Sequence, residues 1–324
     1  MLLHLIPEQT NIKFLSKSRF FIGASALLIL ASIALFAIEG LNLGIDFKGG
    51  ITLEVGMEDK PVPLADVREA LGGLGLGDVS VKRFGSDREV LIRIERQQGD
   101  DAAQSDVMTH VRAELIKAIP DLHFRQSNII GPVVSEELAR DGTIAVSVAV
   151  FMVLIYIWLR FEWQFGVGAV IALVHDVLLT VGFFSITRLE FNLTIIAALL
   201  TIVGYSLNDT VVVYDRIREN IRKFRKKDMA DIIDMSLNQT LNRTIMTSFT
   251  TLIALLALFF LGGEVIRGFT AAMIWGVVVG TYSSIFIASP LLTTFNMRAE
   301  TLLREDDKDD PTVDKSRPTP FDQM

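Results

Sequence analysis

Six predominantly apolar stretches, at 20–38, 144–158, 165–186, 193–214, 245–261 and 269–292, dictate what this 324-residue chain can become. A bilayer core is crossed by about 20 apolar helical residues, and within it every backbone polar group must be satisfied internally. The second stretch is short and is expected to begin nearer Ala139, taking Arg140 and Asp141 to the interface. A mean hydropathy of +0.42 with half the residues hydrophobic excludes an ordinary soluble enzyme. Absence of cysteine excludes a disulfide framework, a thiolate metal site and a cysteine nucleophile. Four histidines, at 4, 110, 123 and 175, are too scattered for a metal cluster. No Ser-His-Asp arrangement, nucleotide loop or hydrolytic carboxylate pair stands out, and the expectation is no cofactor and no covalent catalysis.

The first stretch follows Lys13, Lys17 and Arg19 but is too long for a signal-peptide core, and 38–40 lacks a small-x-small cleavage site, so it is expected to stay as an anchor. Lys and Arg crowd the connection after the fourth stretch, at Arg216, Arg218, Arg222, Lys223, Arg225, Lys226 and Lys227. The positive-inside rule then puts this connection and both termini in the cytoplasm. The same run suits anionic lipid headgroups, and its short length beside the membrane argues against nucleic acid. The expected organisation is an N-terminal arm (1–19), a first span (20–38), an external head (39–138), five further spans (139–292) with a basic cytoplasmic loop (215–243), and a disordered acidic tail (293–324).

The head changes rhythm. Strands are expected at 51–55, 79–82, 90–94 and 123–130, and helices at 64–71 and 102–119. The order βαββαβ is that of a split βαβ, ferredoxin-like α+β domain. The fold class is therefore an α-helical polytopic membrane protein with six transmembrane helices and one small ferredoxin-like head on the periplasmic side.

Ionisable groups within spans are costly and mark function by default. His175 and Asp176 lie in the third span; Asn208 and Asp209 lie in the fourth, where Thr201, Tyr205 and Asp209 recur at i, i+4, i+8. Arg243 opens the fifth, followed at helical spacing by Thr247 and Thr251. Antiparallel packing of the fourth and fifth spans would bring Asp209 and Arg243 together. Burial favours the neutral carboxyl and a guanidinium favours the carboxylate, so movement of Arg243 would switch Asp209 between protonation states. The pair is either a proton carrier or an ion pair gluing two helices. Asp176 is a second relay candidate or a polar packing residue. Gly276, Gly280 and Ser284 form a small-xxx-small series for close helix packing.

These residues carry a resemblance. Leu41-Asn42-Leu43-Gly44-Ile45-Asp46-Phe47-Lys48-Gly49-Gly50, Gly131-Pro132-Val133-Val134-Ser135-Glu136-Glu137-Leu138, the run from Gly204 to Asn220, Asn238-Gln239-Thr240-Leu241-Asn242-Arg243-Thr244 and Gly280-Thr281-Tyr282-Ser283-Ser284 follow one another in order. With that spacing the chain resembles the SecD/SecF protein-export family of the resistance-nodulation-division superfamily over nearly its whole length. The resemblance implies a bacterial inner-membrane protein paired with a SecD-type companion in a twelve-span unit. Such a unit assists the SecYEG channel and the SecA ATPase, alongside YajC, promoting late steps of preprotein translocation with the proton motive force; some relatives use sodium. It implies a carrier role for Asp209 and Arg243; Asp176, Asn208, Tyr205 and Thr247 are relay candidates from their places in the spans. Asp46, Phe47, Gly49 and Gly50 become a head-base motif, in which paired glycines suggest a hinge. Lys48 departs from the small hydroxyl residue often found there. Two other classes stay in view: a small-molecule or lipid exporter of the same superfamily, and a purely structural channel-stabilising subunit.

Overall fold

Apolar length alone accounts for most of the architecture. The computed structural model describes residues 10–99, 101–224 and 227–295. A 3-10 turn (Leu15–Lys17) leads into α1 (Ser18–Glu39), then come the short α2 (Ile45–Lys48), β1 (Gly50–Gly56), α3 (Leu64–Gly72), β2 (Val79–Phe84), β3 (Ser86–Glu95), α4 (Asp101–Ala118) and β4 (His123–Ile130). The chain continues through α5 (Pro132–Arg160), α6 (Trp163–Thr187), α7 (Leu193–Lys223), α8 (Met229–Leu261), α9 (Glu264–Ser283), a π-helical turn (Ser284–Ala288) and α10 (Ser289–Thr294). Six helical segments among the described residues are long and apolar enough to cross a membrane, the last running from α9 through α10.

Several bounds differ from the sequence expectation, each for a local reason. The second spanning helix begins at Pro132, so the expected head boundary at 138 falls inside α5. Proline costs nothing at the first helical turn, and this polar opening is helical outside the apolar stretch. The expected basic loop at 215–243 is mostly helix, because α7 and α8 run on past their apolar parts. Asp228 caps α8 by accepting from the Met229 N–H (3.0 Å). The expected disordered tail, from 296 onward, and residues 1–9 of the N-terminal arm lie outside the described residues.

In the head, the sheet order is β2-β3-β1-β4 with every neighbouring pair antiparallel. Each of the two crossovers, through α3 and through α4, skips one strand, giving two interlocked split βαβ units. Alternation drives the packing: Ile51, Leu53 and Val55 of β1 and Val90, Ile92 and Ile94 of β3 point to one face and are fully buried. Val67 and Leu71 of α3 and Val111 and Leu115 of α4 cover that face.

In the membrane part, α7 lies against α8 and α9, and α1 lies along α6. Small residues set the close approaches: Gly276 meets Ile202, Gly280 meets Ser206, and Gly182 of α6 receives Ser32 of α1. The π turn has a cause in Pro290, which lacks the N–H that would continue the helical ladder. Side chains also bond carbonyls around this turn: Ser289 Oγ donates to Ser284 O (2.8 Å) and Tyr214 Oη donates to Ala288 O (3.0 Å).

Candidate functional site

Two carboxylates are buried within the spanning helices, and their surroundings differ sharply. Asp176 on α6 is fully satisfied. Its Oδ2 accepts from Ser206 Oγ of α7 (2.5 Å) and Ser283 Oγ of α9 (2.8 Å), while Oδ1 faces His175 Nδ1 (2.8 Å). His175 Nε2 lies 3.1 Å from Ser25 Oγ of α1, which lies 2.8 Å from Tyr282 Oη; that hydroxyl donates to Phe21 O (3.0 Å). The Tyr282 ring stacks on the imidazole. Four helices thus meet on one polar chain.

Asp209 on α7 is similarly buried, at 3% exposure, yet its Oδ2 has no hydrogen-bond partner among the described residues. Thr244 Oγ1 on α8 is buried and likewise without a partner among the described residues. Among the described residues Asp209 forms no ion pair; Arg243 is the charged group that acts on it, from beyond ion-pairing distance. The expected meeting of the two is therefore an electrostatic neighbourhood and not a salt bridge. Their depths match: at 1.5 Å per residue Asp209 lies about 24 Å from the head-side end of α7, and Arg243 about 27 Å from that of α8.

Arg243 is exposed on the flank of the bundle, as are Asn242 and Thr250 on α8 and Thr201, Gly204 and Asn208 on α7. Asp209 lies behind this polar flank because a four-residue step advances about 40° around a helix. The i, i+4, i+8 row thereby rotates from exposed Thr201 through half-buried Tyr205 to buried Asp209. Tyr205 Oη reaches Ser248 Oγ (3.5 Å), which pairs with Thr281 Oγ1 (2.6 Å). Thr247 is half-buried and donates to Thr244 O (2.9 Å), so its hydroxyl is spent on its own helix. Asn208 points outward and stays apart from the buried groups.

The head-base motif docks onto the α6–α7 connection. Asp46 Oδ2 accepts from the Leu193 N–H (2.9 Å), and Asn192 Oδ1 accepts from the Ile195 N–H (3.2 Å), so two side chains cap the helix that carries Asp209. The Phe47 and Phe191 rings lie 6.1 Å apart. Arg93 of β3 pairs with Glu190, both side chains mostly shielded, at 27% and 18% exposure. Burial pulls the Arg93 guanidinium below its ordinary value, with Asp46 acting in the opposite direction. Arg188 closes α6 in the left-handed conformation (φ 55°) and donates to Glu39 O (2.8 Å) and Gly40 O (3.0 Å).

The paired glycines, the hinge candidates, sit in a closely packed joint in this structure. Gly50 is paired on both sides, with Glu95 and with Ile130, and a Cβ there would sit 2.5 Å from Ile94 O at φ +139°. They serve close approach in a tight joint. Lys48 lines a small pocket beside this joint with Lys82, Asp78 and Glu95. Replacing Asp46 by Ala is expected to cost about 0.5–2 kcal/mol, as for other cap deletions. Faster amide exchange at 193–195 in Asp46→Ala, with protection largely kept in Asp46→Asn, would be read by hydrogen-exchange mass spectrometry.

Sequence reasoning found Asp209, Arg243 and Asp176 because charges within apolar stretches stand out. It missed Ser25, Ser206, Tyr282 and Ser283 as partners of the histidine–aspartate pair, and Glu190 and Arg93 as the clamp. Serine and tyrosine are unremarkable in spanning helices, and only the 3.6-residue phase of three separate helices could have pointed to them.

Comparison with known proteins gives consistent answers. Residues 110–298 match the family described as protein export membrane protein SecD/SecF, C-terminal, and residues 34–60 match the SecD/SecF GG motif. The protein translocase subunit SecF of Rickettsia bellii is 45% identical over 90% of this chain and 96% of the relative. That of Vibrio alginolyticus is 43% identical over 99% of both. The crystal structure of SecDF, a translocon-associated membrane protein from Thermus thermophilus, superposes with a TM-score of 0.77 at 36% identity, covering 90% of this chain; the chain spans 40% of that longer protein.

Proposed function

Because the chain belongs to the SecD/SecF protein-export family, we propose that it acts as an auxiliary subunit of the Sec preprotein translocase, coupling an ion gradient to late translocation through Asp209. It is a six-helix membrane protein with one small head. The observation that carries the coupling reading is the Asp209 carboxyl, held inside the bundle with one oxygen unpartnered and Arg243 close by. An unsatisfied buried polar atom costs about 1–3 kcal/mol, more when charged, and a purely structural brace would pair it. A carboxyl poised between burial and a guanidinium can take up and release a proton as the two move. The same guanidinium repels a second cation, which favours protons over sodium.

The polar flank of α7 and α8 supports a companion of SecD type. An arginine facing lipid is costly, at most about 2.5–3.5 kcal/mol by insertion scales, the value for the bilayer centre, and less toward the cytoplasmic side where Arg243 lies; a partner bundle would cover it. The fusion of both halves in the longer Thermus thermophilus SecDF chain agrees with such pairing. The basic α7–α8 connection supports an inner-membrane orientation with both termini cytoplasmic, the head outside and anionic lipid at the basic surface. The SecYEG channel, SecA, YajC and the emerging preprotein are the remaining partners of this reading, which involves no covalent catalytic step.

The test is preprotein export in energised vesicles containing or lacking this chain. A protonophore should abolish the extra export conferred by the chain, and a sodium-selective ionophore should leave it intact. The reverse pattern would assign sodium, and insensitivity to both would reduce the chain to a scaffold.

A further inference from the structure

We infer that His175 and Asp176 form a second proton-binding site whose occupancy is reported to α1 through Ser25 and Tyr282. The inference goes beyond the coupling role of Asp209 and does not depend on it.

Counting donors carries the argument. The Phe21 carbonyl can only accept, and in the arrangement in which Tyr282 donates to it (3.0 Å) the tyrosine's single hydroxyl proton is spent there. Ser25 must then donate to Tyr282 Oη (2.8 Å), which leaves Ser25 Oγ as the acceptor for His175 Nε2–H (3.1 Å). At the other end, Oδ2 of Asp176 already accepts from Ser206 (2.5 Å) and Ser283 (2.8 Å). In that arrangement a second proton sits between Asp176 Oδ1 and His175 Nδ1 (2.8 Å). With Nε2 protonated and no proton in that gap, two lone pairs would face one another. The pair thus holds two protons in all, as imidazolium and carboxylate or as neutral imidazole and neutral carboxylic acid.

Releasing one proton has a defined consequence. The remaining imidazole proton moves to Nδ1 to serve the carboxylate, and Nε2 becomes an acceptor. Ser25 turns its hydroxyl to donate to Nε2. Tyr282 then has one proton for two acceptors, Ser25 Oγ and Phe21 O, and one link between α1 and α9 is lost. Unloading also leaves a net negative charge among groups that are all but sealed from solvent: His175 is 2% exposed and Asp176 1%. The groups meeting the pair are Ser25 from α1, Ser206 from α7, and Tyr282 and Ser283 from α9; His175 is the charged partner acting on Asp176 among the described residues. Asp209 lies one turn beyond Ser206 on α7. Since α1 runs directly into the head base, the loaded pair ties the head's lead-in helix to the bundle and the unloaded pair loosens it.

The chain's four histidines make the test direct. A His4→Gln, His110→Gln, His123→Gln variant keeps His175 alone; His110 and His123 are exposed. Solid-state NMR of this 15N-histidine-labelled protein, reconstituted with its companion, is expected to show Nε2 protonated at neutral pH and a second proton shared across Nδ1. Adding Asp176→Asn should remove the shared proton and abolish titration of the ring, whereas Asp209→Asn should change neither. A neutral ring protonated only at Nδ1 at neutral pH overturns the proposal, as does titration unaltered by Asp176→Asn. Infrared spectra of the unmodified chain provide an arm free of variants: absence of both a carboxylic-acid carbonyl band and an imidazolium band at neutral pH also overturns it.

Discussion

Asp209→Asn is expected to leave the chain assembled with its companion and to remove the whole gradient-dependent part of preprotein export. The substitution conserves shape, so α7 keeps its packing against α8 and α9. It supplies an amide where Oδ2 has no partner, a cost of about 1–3 kcal/mol that a six-helix bundle withstands. What it deletes is the ability to exchange charge. A membrane potential does about 2.3 kcal/mol of work per elementary charge per 100 mV, and a residue that cannot change its proton count transmits none of it. Asp209→Glu keeps the charge and moves it by a methylene, so partial activity is expected. Export into energised vesicles, at matched expression and matched recovery of the companion, separates the outcomes. Unchanged export in Asp209→Asn would make the residue structural and would sink the coupling mechanism while leaving family membership untouched.

The second large effect is expected from Gly182→Leu. At the α1–α6 crossing, even a bare Cβ on residue 182 would lie 2.5 Å from Ser32 Cβ and 3.0 Å from its Cα. The obstacle is backbone, so α1 must move as a body. Overpacking of this kind costs about 1–3 kcal/mol. Ser25 and Ser32 are one heptad apart on α1, as are His175 and Gly182 on α6, so the two contacts fall on one seam. A wedge at 182 should therefore also pull Ser25 from His175. A lower unfolding temperature in detergent and faster amide exchange along α1 are expected, with Gly182→Ala intermediate. Wild-type stability and exchange in Gly182→Leu would show that α1 is not seated as described.

The sequence makes the membrane part legible because a long apolar run in lipid has one solution, the helix. The head is legible because alternation at 51–55 and 90–94 is the signature of half-buried strands. Helix ends were harder to place. Residues 132–143 and 215–223 are polar, and hydropathy does not register a helix that continues into water. Asp209 and Asp176 were conspicuous as charges, yet their difference was not: whether a buried carboxyl is satisfied depends on Ser206 and Ser283, two helices away from each other in sequence. Asp46 belonged visibly to a motif, but its work as a cap on α7 needs Leu193, nearly 150 positions later, to fold back onto it.

The pairing of Gly50 with Ile130 has a consequence for the modularity of this chain. The first and last strands of the head are neighbours in one sheet, so the path leaves α1 and rejoins α5 through a doorway one strand wide. A module inserted with its two ends side by side imposes no spacing on its host. The head can therefore be lengthened, shortened or exchanged for another sheet with adjacent ends, while α1 and α5 keep their places in the bilayer.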